Sequence, residues 1–475
     1  MPLLTSYRIA QQGTTICAIA TASGGALGVI RISGSQAVDI ADTIFRTPRN
    51  TKLTAATGHT LHYGHIVDPA SEEVVDEVIA SVFRAPHSYT GEDSVELSCH
   101  GSPYILERTL TLLIEAGATL AQPGEFTQRA FTNGKMDLSQ AEAVADLIAA
   151  RSAAQHRMAV SQLRGAFSHQ LRAMKEQLLR LTALIELELD FSDHEDLEFA
   201  DRTELRTLLT DIMTMQANLI ASFRVGNALK HGVPVAIVGH TNAGKSTLLN
   251  TLVGDERAIV SDIHGTTRDV IEDLANIEGI TFRFIDTAGL RNTDDTIEQM
   301  GIARSWQKME EAAIIVWVVD AALHATPPID QYKAITEVHP DKPLLIVLNK
   351  ADLITPNNQS AVVEAYTALT THCVLLSAAQ HIGLTQLHTT LKTLAALPEQ
   401  VEAGSIVVSN VRHVEALRLS QSALERTLQG LDFGLSGELL AMDLREAIRQ
   451  IGEIVGEITA DDALQYVFRN FCIGK

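Results

Sequence analysis

The chain is 475 residues long, 46% hydrophobic, and carries a net charge of −21. Its length implies roughly two to four domains of about 100–200 residues each. The charge excludes a uniformly basic nucleic-acid binder, while leaving room for RNA contact through a local basic patch or a partner. Cys17, Cys99, Cys373 and Cys472 show no C-x-x-C spacing, no apolar run nears the ~18 residues of a membrane span, and no signal-peptide pattern opens the chain. A soluble, cytoplasmic protein with neither a disulfide framework nor a zinc site is expected.

Residues 1–134 read as a mixed domain rich in short strands, at 16–20, 28–32, 60–67, 74–83 and 95–99, each bounded by Gly, Pro, Ser or Asp. Helical patterns fall at 35–45 and 103–115. Two polar clusters, Ser88-Tyr89-Thr90-Gly91-Glu92-Asp93 and Pro123-Gly124-Glu125-Phe126-Thr127, read as turns. From Asp137 the texture changes to long helices. Leu138, Ala141, Ala145 and Ile148 begin one apolar stripe, and Leu171, Met174, Leu178, Leu181 and Ile185 form a second at alternating spacings of three and four. The acidic stretch 186–198 reads as a solvated helix end and loop rather than a metal site. Another helix follows at 202–230.

Residues 231–396 alternate strand and helix patterns, the signature of a mostly parallel α/β sheet. Strands are expected at 233–238, 281–285, 314–319, 344–348 and 373–376, with 270–275 as an edge strand joined to 281–285 through Glu278-Gly279. After Pro398 the chain returns to helix, with Leu440, Leu444, Ile448, Ile451, Val455 and Ile458 at helical spacing. Apolar stripes on both sides imply that the α/β domain (231–396) is inserted into a helical domain made of 135–230 and 397–475.

Gly239-His240-Thr241-Asn242-Ala243-Gly244-Lys245-Ser246 fits G-x-x-x-x-G-K-[ST] between an expected strand and an expected helix that opens with Thr247. In that setting backbone N–H groups from the loop, Asn242 to Thr247, surround phosphate oxygens at a helix N-terminus. Lys245 reaches the β- and γ-phosphates and the Ser246 hydroxyl binds Mg²⁺. Gly265-Thr266-Thr267-Arg268-Asp269 supplies a threonine, Thr267, for Mg²⁺. Asp286-Thr287-Ala288-Gly289 ends a strand and senses the metal and the γ-phosphate. Asn349-Lys350-Ala351-Asp352 offers a carboxylate that accepts from the guanine N1–H and exocyclic amine, which adenine lacks. Ser377-Ala378-Ala379 suits a backbone contact to guanine O6. Five such elements in this order, each beside a strand end, select GTP over ATP. Leu290 stands where Ras-like GTPases carry the glutamine that orients water. That group must come either from a partner or from a loop rearrangement that brings a monovalent cation.

The domain order, Asn242, the 265–269 segment and the final Phe471-Cys472-Ile473-Gly474-Lys475 resemble the MnmE (TrmE) family of bacterial tRNA modification GTPases. The resemblance extends through 89–93, 124–126, Arg129-Ala130-Phe131 and 137–148. It implies a Ras-like P-loop GTPase domain inserted in a helical domain and preceded by an α+β folate-binding domain (1–134). It also implies a homodimer whose G domains meet across their nucleotide faces. By the same resemblance K⁺ activates the enzyme, held by Asn242 and by Ser261, Ile263 and Thr266. The loop of Ser261, Asp262, Ile263, His264, Gly265, Thr266 and Thr267 then borders GTP, and Glu298 orients the water indirectly. Lys245, Asn242 and Glu298 are the expected catalytic residues.

The resemblance further implies a 5-formyl- or 5,10-methylene-tetrahydrofolate site at Arg31, Glu96, Lys135 and Lys475. Cys472 serves either as a nucleophile or in positioning folate or the tRNA base. With the FAD protein MnmG, family members add aminomethyl-type groups, including carboxymethylaminomethyl, at C5 of the wobble uridine in tRNA. The chain departs from the family at Ala22-Ser23-Gly24-Gly25-Ala26, where Pro-Pro-Gly-Arg-Gly-Gly is usual, and at Thr241, where proline is common. The competing class is a ribosome-assembly or RNA-binding switch GTPase without modification chemistry, which should carry a basic domain that is not found here. A self-assembling mechanical GTPase, a third class, would need an apolar or basic membrane-facing segment, also not found.

Overall fold

The computed structural model describes residues 13–22, 24–190, 202–254, 273–285, 309–395 and 406–457, with 464, 467, 468, 471 and 474. The chain divides into two compact units, 1–145 with 162–212 and 416–475, and 146–161 with 213–415.

Unit 1 opens on seven strands: β1 (Ile16–Ile19), β2 (Leu27–Ser33), β3 (Phe45–Arg46), β4 (Thr60–Val67), β5 (Val74–Phe83), β6 (Ser94–His100) and β7 (Thr119–Leu120). They pair in the order β3-β4-β5-β6-β2-β1-β7, antiparallel except for the β1–β7 pair. Along β5 the side chains of Asp76, Val78, Ala80 and Val82 are buried while Glu77 and Ile79 face out, the two-residue alternation of a sheet covered on one side. Helices α1 (Ala37–Ile44) and α2 (Pro103–Glu115) close that side, burying Val38, Ile40, Leu106 and Leu113 against Ile30, Ile32, Val95 and Leu97. The five expected strands are all present. The two-residue strands β3 and β7 were not expected, being too short to carry a pattern.

The Pro123–Thr127 cluster is not a turn throughout, as expected from its composition. Gly124 takes the left-handed conformation (φ 71°), and helix α3 (Glu125–Thr132) starts immediately after it. The Glu125 carboxylate reaches back to accept from the Gln122 N–H at 2.9 Å, while the Glu125 N–H donates to the Gln122 carbonyl at 3.1 Å, which closes the turn that leads into the helix.

Helix α4 (Leu138–Ala149) buries Leu138 and Ala141 against Phe468 and Phe471. Its stripe does not reach Ile148, which is 46% exposed, one residue before the helix ends. Helix α6 (Ala166–Asp190) buries Leu171, Met174, Leu178, Leu181 and Ile185, the whole expected seam, and packs along helix α13 (Gly437–Val455). Lys175 pairs with Glu457 and Glu186 with Arg445. The pairs run in opposite sequence order, so the two helices are antiparallel.

Unit 2 holds a six-stranded sheet in the order β13-β12-β11-β8-β10-β9. Its strands are β8 (Val233–Gly239), β9 (Asp273–Ile277), β10 (Ile280–Phe284), β11 (Ile314–Asp320), β12 (Leu344–Asn349) and β13 (Cys373–Leu375). Only β9 is antiparallel, joined to β10 by Glu278 and Gly279, both at positive φ (49° and 84°), as a tight hairpin turn requires. Every residue of β11 and β12 is buried, because helices cover both faces. Helices α8 (Lys245–Gly254) and α11 (Leu384–Ala395) pack on one side, and α9 (Ile329–Val338) and α10 (Pro356–Thr367) on the other. From central β8 the chain steps to β9 and β10 on one flank and then to β11, β12 and β13 on the other. The order therefore reverses beside β8, and ligands of such sheets bind at the carboxyl ends of strands at that reversal. The loop after β8 lies there.

Leu178→Ala, on the fully buried α6 seam, should cost about 2–5 kcal/mol in denaturant unfolding, whereas its 47% exposed neighbour as Leu179→Ala should stay within about 0.5 kcal/mol.

Candidate functional site

The loop between β8 and α8 takes a conformation that few residues tolerate. Gly239, Asn242 and Gly244 have φ of 147°, 64° and 92°, so successive N–H groups turn toward one concave side, the geometry that receives anions. A Cβ on Gly239 would lie 2.2 Å from the Val318 carbonyl oxygen, and one on Gly244 would lie 2.1 Å from Asn349 Nδ2. The two motif glycines are therefore demanded by close approach as well as by φ. Lys245 Nζ donates to the carbonyls of Gly239 (2.9 Å) and His240 (2.8 Å), which places its ammonium inside the ring of the loop. Ser246 and Thr247 follow in the first turn of α8, at the positive end of its dipole. The donor set fits a polyphosphate: a nest of amides, one lysine and a hydroxyl for a divalent cation.

The base-recognition residues meet this loop directly. Asn349, the last residue of β12, is buried; its Nδ2 donates to the Ala243 carbonyl at 2.9 Å, and its Oδ1 accepts from the Ala378 N–H at 3.0 Å. One carboxamide thus ties the phosphate loop to the Ser377–Ala379 segment. Thr251 Oγ1 adds a bond from α8 to the Ala378 carbonyl at 3.1 Å. Lys350 adopts φ 64° and its ammonium pairs with Asp320 Oδ2 at 2.6 Å. Burial pushes the Asp320 carboxyl up, but bonds from Lys350 and the Ala322 and Leu323 amides outweigh it and hold it below the usual carboxylate range. Asp352 is exposed. The Ser377 amide donates to Ile382 O (3.0 Å) and that of Ala378 to Asn349, while the exposed Ala379 amide makes no bond among the described residues. Asn242, Ala243, Gly244, Lys245, Ser246, Thr247, Asn349, Lys350, Asp352 and Ser377–Ala379 thus gather at the carboxyl end of one sheet. Ser261, Asp262, Ile263, His264, Gly265, Thr266, Thr267, Asp286, Thr287, Ala288, Gly289, Leu290 and Glu298 lie outside the described residues.

In unit 1, Arg31 on β2 and Glu96 on β6 are register partners. Arg31 Nε and Nη2 both lie 2.8 Å from Glu96 Oε1. The guanidinium carbon stands 5.3 Å from the Tyr89 ring centre and 5.6 Å from that of Phe126, within cation–π range. Arg31 Nη1 also donates to the Gly474 carbonyl at 3.4 Å. Gly474 sits at φ 94° with no room for a Cβ, which would lie 2.5 Å from Ile19 O. Lys135 donates to the Pro86 carbonyl at 3.0 Å, and a Cβ on Gly91 would lie 3.3 Å from its Cγ, so it flanks the same 86–91 loop that carries Tyr89. A carboxylate–guanidinium pair beside two aromatic rings fits a flat, hydrogen-bonding ring system such as a pterin. Cys472 and Lys475 lie outside the described residues.

Beneath this surface lies a polar network that composition alone reduces to turns. Arg129 is 4% exposed and pairs with Glu92 (3.2 Å) and Glu125 (2.9 Å), while bonding Thr14 O at 2.7 Å. Ser33 donates to Glu92 at 2.8 Å and shares a 2.6 Å bond with Thr90. Tyr89 OH meets Thr127 at 2.8 Å, and burial raises its phenol pKa despite Thr127 and Arg31. Sequence reasoning missed Tyr89, Phe126 and Asp320 as individual site neighbours. Burial pushes the thiols of Cys17 and Cys373 to about 11 and that of Cys99 to about 12, leaving them protonated and poor nucleophiles at neutral pH.

Two family descriptions match the chain. "GTP-binding protein TrmE N-terminus" spans residues 15–135, and "MnmE helical domain" spans 138–472. The chain belongs to the MnmE family. Curated MnmE relatives agree over almost the whole length. The Bacteroides thetaiotaomicron protein, named tRNA modification GTPase MnmE, is 53% identical over 466 residues, covering 97% of this chain and 99% of its own. The Phocaeicola vulgatus protein of the same name is 50% identical over 495 residues, covering 97% and 99%. Among solved structures, Aquifex aeolicus Era bound to GDP.AlF4- is 29% identical, covering 40% of this chain and 66% of Era with a TM-score of 0.27. MnmE membership rests on the family match and the curated relatives.

Gly244→Ala should abolish guanine-nucleotide binding in a fluorescent-GDP titration while the chain stays folded by circular dichroism, because the added methyl displaces Asn349. Arg129→Met leaves two carboxylates facing each other without a cation and should lower stability by about 3–5 kcal/mol, read by denaturant unfolding.

Proposed function

We propose that the protein is a Mg²⁺-dependent, K⁺-activated GTPase that modifies C5 of the wobble uridine in tRNA. It works as a homodimer in the cytoplasm with a flavoprotein of the MnmG kind, using a tetrahydrofolate one-carbon unit. The observation that carries the GTPase part is the Asn349 carboxamide. It joins the phosphate loop to the 377–379 segment, so one guanine nucleotide meets both. In this reading Asp352 accepts from guanine N1–H and its amine, and the open Ala379 amide donates to O6. Lys245 and the loop amides hold the β- and γ-phosphates, and Ser246 with Thr267 holds Mg²⁺.

In this reading Asn242, with Ser261, Ile263 and Thr266, would hold a monovalent cation. Such an ion would supply the positive charge that other GTPases take from an arginine. Glu298 orders the attacking water in place of the glutamine that Leu290 replaces. In the N-terminal sheet, Glu96 accepts from the pterin N–H edge, Arg31, Lys135 and Lys475 meet its polar edge and carboxylates, and Cys472 acts nearby. The name of the curated relatives supports the tRNA role, and the domain division at 1–134, 135–230 with 397–475, and 231–396 belongs to the same reading. No helix among the described residues is long and apolar enough to cross a membrane.

GTP turnover measured in KCl and in NaCl, followed by a 5-formyl-tetrahydrofolate titration, tests the reading. Stimulation by K⁺ that Asn242→Ala removes, with folate binding that Arg31→Ala and Glu96→Ala each weaken at least about tenfold, is the expected outcome. Turnover indifferent to the cation, with no folate binding, would instead favour a switch GTPase without modification chemistry.

A further inference from the structure

β11 is built as a buried parallel strand, and six of its seven residues, Ile314 to Val319, are apolar and covered on both faces. The seventh is an aspartate. Asp320 is only 6% exposed, and a buried carboxylate persists only where its charge is matched. Its partners are specific. Oδ1 accepts from the amides of Ala322 (3.0 Å) and Leu323 (3.3 Å), and Oδ2 accepts from Lys350 Nζ (2.6 Å). The backbone repeats the link, since Asp320 is the register partner of Asn349 and the Ala321 N–H donates to the Asn349 carbonyl at 3.0 Å.

Lys350 is held where lysine rarely rests. Its φ of 64° is left-handed, a conformation disfavoured for a residue with a long side chain unless its surroundings fix it. The ion pair and the β11–β12 backbone bond are that fixing, and they act at the hinge between Asn349 and Asp352. The next residue, Ala351, is tied to β13's end through the Leu376 carbonyl at 3.0 Å. Asp320 also stands two residues past Val318, whose carbonyl abuts Gly239, so the Lys350 stem spans strand ends that border the phosphate loop.

We propose that Asp320 is a positioning residue for guanine-nucleotide binding: by holding Lys350 across the β11 and β12 ends, it sets the turn that aims Asp352 at the base. Asp320 itself touches no nucleotide. The inference rests on the GTP-binding reading above and adds to it the residue that pre-sets base selectivity. The cost of ordering the Asn349–Asp352 turn is met on folding rather than on binding, which is how preorganisation raises affinity.

The test uses the full-length chain, with Asp320→Asn, Lys350→Met and the double variant. Binding of fluorescent GDP and IDP, GTP turnover and thermal melting are measured for each; IDP lacks the exocyclic amine that Asp352 reads. Asp320→Asn should weaken GDP binding about tenfold and raise KM in step, while kcat at saturating GTP stays within about twofold. Its preference for GDP over IDP should shrink, because a misaimed carboxylate loses the amine contact. Lys350→Met, at a more exposed side chain, should reproduce the loss, and the double variant should be no worse than either single one. Unchanged or tighter GDP binding by Asp320→Asn would overturn the proposal. So would a loss falling equally on GDP and IDP, or additive losses in the double variant. Failure of the unaltered chain to bind GDP would sink the GTPase reading instead.

Discussion

The carboxamide of Asn349 sits where loops leave the carboxyl ends of one sheet's strands, and it bonds the loops after β8 and β13 at once. Its oxygen takes an amide from the 377–379 segment and its nitrogen gives to the phosphate loop. Both bonds are buried, so losing either would strand a polar group at a cost of about 1–3 kcal/mol. Gly244 must be a glycine because this nitrogen occupies the space of its side chain. Base recognition and phosphate recognition are consequently not separate devices on a common scaffold. They share a side chain, and the sheet order that reverses beside β8 is what brings their loops together.

Unit 1 uses the same economy with charge. Arg31 lies on a sheet surface and contacts Glu96 on the adjacent strand, the rings of Tyr89 and Phe126, and the Gly474 carbonyl. The segments that carry those rings are braced from below. Arg129 joins the 88–93 loop to α3 through Glu92 and Glu125, with almost no exposure of its own. A buried arginine between two carboxylates contributes little net stability compared with apolar packing. What it does supply is direction, since the guanidinium fork admits few arrangements of the groups around it.

Much of this was legible beforehand because periodicity and motif spacing are local properties. The α6 seam from Leu171 to Ile185, the apolar runs of β11 and β12, and the Glu278-Gly279 hairpin all reappear as read. The phosphate loop could be read because strand, glycines, lysine and helix stand within one short segment. What escaped depends on partners distant in sequence. Arg31 and Glu96 were expected at one site only through the resemblance, and the bond between them depends on the β2–β6 register that sets them opposite each other. Asp320 closes an apolar strand and draws no notice until Lys350 arrives from β12. Pro123-Gly124 has the composition of a turn, yet a helix starts at Glu125, directly after the left-handed Gly124. The stripe begun at Leu138 stopped short of Ile148 because a repeating pattern says nothing of where cover ends.

The bond between Arg31 and Gly474 spans 443 positions, and unit 1 is assembled from three stretches of chain, the last of them 416–475. During synthesis the seven-stranded sheet emerges first, but Phe468, Phe471 and Gly474 reach the ribosome exit only after all of unit 2 has been made. The core formed by Leu138 and Ala141 with those phenylalanines must therefore wait, half-built, for the time taken to translate the intervening segment. At about 5–20 residues per second that is on the order of tens of seconds. Unit 2, whose sheet is drawn from one continuous stretch, has no such delay. Order of birth and order of completion thus differ: the unit that begins to emerge first is the last to be completed.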